Sequence, residues 1–178
     1  MRLSTALALL LVSSPVLAAE MPARKAGLWE LKMSIEGRGN AMPAIQHCID
    51  ATTDKQMNSM GANPRAEKCS RKDVQVSGNT VTVDSTCDIG SGATATSHAT
   101  VTGDFNAAYV VKVSSRTQGG PAGMPAETNM TIEAKWLGPC KGDQKPGDMI
   151  MGGGMKMNIN DLTKMGPRGV PGAPGGTK

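Results

Sequence analysis

Hydrophobic and polar residues alternate with a period of two along most of this chain. In "GLWELKMSIEG", Trp29, Leu31, Met33 and Ile35 fall on one side, and Glu30, Lys32, Ser34 and Glu36 on the other. That pattern marks a strand with one buried and one wet face, and Gly37 and Gly39 end it. The stretch "VQVSGNTVTV" predicts a hairpin turning at Gly78 and Asn79. It pairs Val76 with Val81 and Val74 with Val83, leaving Asp73, Gln75, Thr82 and Asp84 on the opposite face. A second hairpin joins "TATSHATV" to "AAYVVKVSS" through "TGDFN", with Tyr109, Val111 and Val113 on one face. In "TNMTIEAKWLGPC", Met130, Ile132, Ala134 and Trp136 alternate with Thr131, Glu133 and Lys135. "IQHCI" reads as a shorter strand, and "TTDKQMNSM" as one or two helical turns capped by Thr52 or Thr53. The predicted class is mainly β: a curved antiparallel meander or open barrel-like sheet of five to seven strands, with one short helix over an opening or an edge.

The two ends of the chain differ from this body. "MRLSTALALLLVSSPVLAAE" has a positive charge at Arg2, an apolar run from Ala6 to Val12 and small residues at Val16 and Ala18. That is the form of a secretory signal peptide, residues 1–18, cut after Ala18. The run is too short for a membrane-spanning helix, and no other long apolar segment follows, so the mature protein is expected to be soluble. The β domain is expected over residues 19–140. From Lys141 to Lys178 the chain is rich in Gly, Pro, Met and Lys, the composition of a largely flexible tail. Within it, "MIMGGGMKMNIN" predicts an edge hairpin at 148–159, with Met149 and Met151 turning back onto Met155 and Met157.

Charge narrows the partners. Residues 19–140 carry 12 basic and 12 acidic side chains, and the excess of +3 lies after Cys140. A neutral body has no footprint for a phosphate backbone, which argues against nucleic acid. With only four aromatic residues, two Trp, one Tyr and one Phe, the core must be thin. Cys48, Cys69, Cys87 and Cys140 all lie in the exported part, and an even count in an oxidising compartment predicts two disulfides. Three pairings are open. The hairpin register puts Cys87 opposite Ser70 and Cys69 one step off, so a Cys69–Cys87 bridge needs a bulge or a turned end. The preferred pairing is therefore 48–69 with 87–140.

"GLWE" at 27–30, Cys48 before a small helix, "VSGNTVTVDSTC" ending at Cys87, and "WLGPC" at 136–140, in that order, resemble a family of exported proteobacterial proteins known as domain-of-unknown-function family 3617. The resemblance covers about residues 25–141 and leaves the Met-rich tail outside. It implies export to the periplasm, paired cysteines and the extent of the domain. It implies no activity, cofactor or catalytic residue.

Candidate chemistry is sparse, and the chain reads as a non-enzyme without a cofactor. A hydrolase would need a base, and the histidines are His47 and His98. His98 shares the wet strand face of Thr94, Thr96 and Thr100, and His47 precedes a cysteine expected to be bridged. Cysteine spacings of 21, 18 and 53 residues fit neither a C-x-x-C redox pair nor a compact zinc knuckle. "GSG" at 90–92 and "GGG" at 152–154 lack the lysine and helix of a phosphate cradle. Met149, Met151, Met155 and Met157 are the candidate metal ligands, because thioether sulfur suits Cu(I); the plainer account is that methionine fills gaps in an aromatic-poor core. Trp29 and Trp136 are the candidates for lining a ligand site in a curved sheet, against the simpler account that both pack the core. The expected function is a small non-catalytic binding or structural module of the cell envelope, its partner an envelope protein or a small apolar ligand. Cu(I) binding is the alternative, and an uncharacterised hydrolase the weaker one.

Overall fold

Nine strands and one helix follow from these patterns in the computed structural model, which describes residues 21–39, 42–60 and 68–161. The predicted signal peptide lies outside the described residues. In chain order the elements are β1 (Gly27–Ile35), β2 (Ile45–Ile49), α1 (Ala51–Met60), β3 (Lys68–Ser77), β4 (Thr80–Gly90), β5 (Ala93–Asp104), β6 (Ala108–Gly119), β7 (Glu127–Gly138), β8 (Asp148–Ile150) and β9 (Lys156–Asn158). They form one sheet in the order β3-β4-β5-β6-β7-β1-β2-β8-β9, and every pairing is antiparallel. The sheet is open, with β3 and β9 at its two ends. The expected count of five to seven strands is too low. β8 and β9 have three residues each, too short for alternation to stand out, and they join the sheet only through β2.

Strands β3 to β7 are a plain meander, and their ladders keep the two faces apart. Val76 pairs with Val81 and Val74 with Val83, across a turn in which Gly78 takes a φ of +58° that glycine adopts without a Cβ clash. On the apolar face, Val81, Val101, Val111, Ile132 and Met33 follow one another across five strands. On the opposite face, Thr82, Thr100, Lys112, Thr131 and Ser34 do the same.

The core draws on β1, β2 and β4 to β7, with α1 packed against it. Trp29, Ile49, Val81, Val101, Tyr109 and Ala134 form it, with Leu31, Met57, Phe105 and Trp136 packed around them. Tyr109 bridges two aromatic neighbours, with centroids 5.5 Å from Trp29 and 5.1 Å from Phe105. Gly27 lets β1 and β7 approach beside it: a Cβ there would sit 2.6 Å from Trp136 Nε1 and closer still to the Gly138 carbonyl.

Three local expectations need correction. The disulfides are Cys48–Cys140 and Cys69–Cys87, not 48–69 and 87–140. A bulge between Cys69 and Arg71 shifts the β3–β4 register by one residue, which brings Cys69 opposite Cys87. Cys48 lies opposite Leu28, and Leu28 opposite Gly138, so the strand order delivers Cys140 to Cys48. The helix cap is Asp50, neither Thr52 nor Thr53. Its carboxylate accepts from the Thr53 amide at 2.8 Å, while the Thr53 hydroxyl accepts from the Asp50 amide at 2.9 Å, a reciprocal cap.

Candidate functional site

Three places on the described residues bring polar or soft side chains together. The first lies beneath α1. Arg24, in the arm before β1, donates from Nε to Asp54 Oδ1 at 2.6 Å and from its backbone amide to Asp54 Oδ2 at 2.8 Å. Both side chains are almost wholly buried, 6% and 1% exposed. The same guanidinium reaches the Tyr109 hydroxyl at 3.4 Å and lies 6.0 Å from the Trp29 ring. This pair fastens the arm to the helix across 30 residues, a separation no sequence window spans. Burial raises the Tyr109 hydroxyl above its ordinary pKa, against the smaller opposing pull of Arg24.

His47 belongs to the same region. It pairs with Trp29 across the β1–β2 ladder and therefore shares the core face. Its Nδ1 is shut off from solvent and has no hydrogen-bond partner. Burial, and next the positive charge of Arg24, push its pKa down from 6.5 to about 4. The folded protein thus keeps His47 neutral where an unfolded chain takes up a proton. The sign follows from linkage: stability falls as pH drops from about 6.5 to about 4 and levels off below. We expect a loss of up to about 3 kcal/mol over that window. Urea unfolding at pH 7 and pH 4.5, compared with a His47→Gln variant, checks it. An equal acid loss in the variant would assign the slope elsewhere.

The second place is on the wet face. His98 Nδ1 lies 2.8 Å from Asp84 Oδ1, and its Nε2 lies 3.4 Å from the Thr100 hydroxyl. An acid, an imidazole and a hydroxyl in line have the order of a hydrolytic relay. β5 is a central strand laddered on both sides, to β4 and β6, so its backbone amides are spent on the sheet rather than aimed at a developing oxyanion. Asp84 and His98 are each about half exposed, which leaves the pair in water. A shallow groove passes over His98, Thr100, Lys112 and Thr131, and another over Glu30, Lys32, Glu133 and Lys135. Neither is bordered by Trp29 or Trp136.

The two indoles stand side by side instead. Trp29 pairs with Trp136 across β1 and β7. Trp29 is fully buried, and its Nε1 donates to the Lys25 carbonyl at 2.8 Å. Trp136 is half-buried, donates to the Ala26 carbonyl at 3.1 Å, and has Lys25 Nζ 3.7 Å from its ring centroid. Both rings anchor the arm and the core.

The third place is the hairpin of β8 and β9. Met149 pairs with Met157, and the Met151 amide donates to the Met155 carbonyl at 2.8 Å. Met149 and Met157 therefore share one face of this hairpin, and Met151 and Met155 follow them at its turn end. The other face carries Asp148, whose carboxylate meets the Asn158 amide at 2.8 Å and Lys156 Nζ at 2.9 Å. Burial alone would raise Asp148, but these partners outweigh it and hold its pKa below the ordinary value. Among the described residues, no group of three or more His, Cys, Asp and Glu side chains is placed to hold a metal ion, and no helix is long and apolar enough to cross a membrane.

Fold and site define a disulfide-stapled, open antiparallel sheet with one capping helix. The chain belongs to the family described as "Protein of unknown function (DUF3617)", which matches residues 24–140. Those limits have a structural meaning, since they run from the arginine that pairs with α1 to the cysteine that closes the long bridge. No curated protein and no solved structure matches the chain.

Proposed function

We propose that this chain is a non-catalytic binding module exported to the periplasm, where the apolar face of its open sheet receives an envelope protein. The observation that carries this reading is the uneven cover of that face. α1 and the arm close over the end holding Trp29 and Tyr109, through Arg24–Asp54 and through the Lys25 amide on the Phe105 carbonyl. Farther along, Ile35, Met130, Val113, Ala99, Val83 and Val74 run in one ladder row across six strands. Each of the six is only half-buried. A continuous apolar patch of this kind is the usual mark of an interaction surface. Export is supported by the leader-like start and by four cysteines joined in two bridges. The non-catalytic reading is supported by the committed amides around His98.

The test places a photoreactive phenylalanine analogue at Val113, or at Lys112 on the opposite face, in the full chain expressed in its own envelope. The expected result is a single adduct of defined mass from position 113 and none from 112. Equal yields at the two positions, or no adduct at either, would overturn the reading.

A further inference from the structure

The ladder register brings together residues that are far apart in the sequence. His47 on β2 pairs with Met149 on β8, and Met149 pairs with Met157 on β9. Directly paired residues point to the same face, so one imidazole and two thioethers stand in a row across three neighbouring strands, spanning about 10 Å between the outer backbones. The two methionines are half-buried, neither sealed in the core nor fully in water. Met is long and unbranched, so Met157 can lean inward toward Met149 and His47. His47 Nδ1 is buried without a partner, a state that ordinarily calls for explanation by a ligand, an ion or a water. Asp54 offsets the nearby charge of Arg24 at 2.6 Å, so a bound cation would not face a bare guanidinium.

We propose that His47, Met149 and Met157 form a three-coordinate site for a soft monovalent cation of the Cu(I) class. Thioether sulfur selects such an ion over harder divalent ones, and imidazole nitrogen completes the set. The paired strands set the three residues on one face before any metal arrives. Met151 and Met155 stand two rungs nearer the turn, past Ile150 and Lys156, and Met155 is 59% exposed. They are placed to pass an ion inward rather than to hold it. Met149 and Met157 lie beyond residues 24–140, the span the family matches. The site therefore belongs to this chain's own extension, completed by one residue of the family domain.

Silver(I), a redox-inert stand-in for Cu(I), tests the set by NMR titration of the full mature chain. One equivalent is expected to shift the methyl signals of Met149 and Met157 and the ring signals of His47 together, while zinc(II) leaves all three in place. Loss of even an outer partner of a metal ligand costs about 10–100-fold in affinity, so His47→Gln, or Met149→Leu with Met157→Leu, should weaken binding at least about tenfold. Met151→Leu with Met155→Leu should leave affinity within about threefold, since those residues are outside the set. Because the titration of the unaltered chain reads His47 directly, a variant that folds poorly does not spoil the test. Methionine shifts with a motionless His47 ring, equal binding of zinc, or loss of affinity in the Met151/Met155 variant alone would each overturn the assignment.

Discussion

Replacing Trp29 by alanine is expected to destabilise the domain by about 3–5 kcal/mol, the range for a lost large core side chain. Trp29 is fully buried and packs on Tyr109 at 5.5 Å. The core around it is otherwise valine, alanine, isoleucine and a single tyrosine. The indole also holds the arm, since its Nε1 donates to Lys25. For a domain of this size each kcal/mol moves the melting temperature by about 2–4 °C, so a fall of roughly 6–20 °C should be seen by thermal unfolding with the disulfides intact. Trp29→Phe should lose less, keeping most of the volume and surrendering the hydrogen bond. An unchanged melting temperature for Trp29→Ala would mean that the indole packs little and would return it to the candidates for ligand contact.

Asp54→Ala is expected to cost a similar amount, about 3–5 kcal/mol, because removing one member of a buried ion pair strands the other. Here it would strand both the Arg24 guanidinium and the Arg24 backbone amide, which share the two carboxylate oxygens. The physical test is the double replacement Arg24→Met with Asp54→Leu. Apolar side chains of similar size often match a buried pair or exceed it, so urea unfolding should show most of the stability restored. A double variant no better than Asp54→Ala would show that the loss comes from the missing bonds of the pair and not from a stranded guanidinium.

Much of the sheet is legible along the chain. The valines of β3 and β4, the Tyr109–Val113 face of β6 and the Met130–Trp136 face of β7 alternate as written and pair as the turns require. What escapes is whatever depends on partners distant in sequence or on a local break in register. Ser70 looks like an ordinary strand residue, yet the bulge around it decides which cysteines meet. Three-residue strands carry too few positions to show a period. Of the candidate metal set, Met149 and Met157 are visible as M-x-M pairs, whereas His47 joins them only because β8 docks on β2. Arg24 gave no signal, because an arginine before the first strand resembles any surface charge until a buried aspartate is found opposite it.

The long bridge changes what the chain is as a covalent object. Cys48 and Cys140 are 92 residues apart, and the Cys69–Cys87 bridge falls wholly inside that span. The molecule is therefore a ring with a smaller ring inside it and two free ends leaving from one knot. Those ends carry β1 on one side and β8 with β9 on the other, and they settle on opposite flanks of β2. A backbone cut at the Phe105–Ala107 turn lies within the large ring and outside the small one, so it releases no fragment. Additional sequence inserted at that turn would stay tethered from both sides by the long bridge.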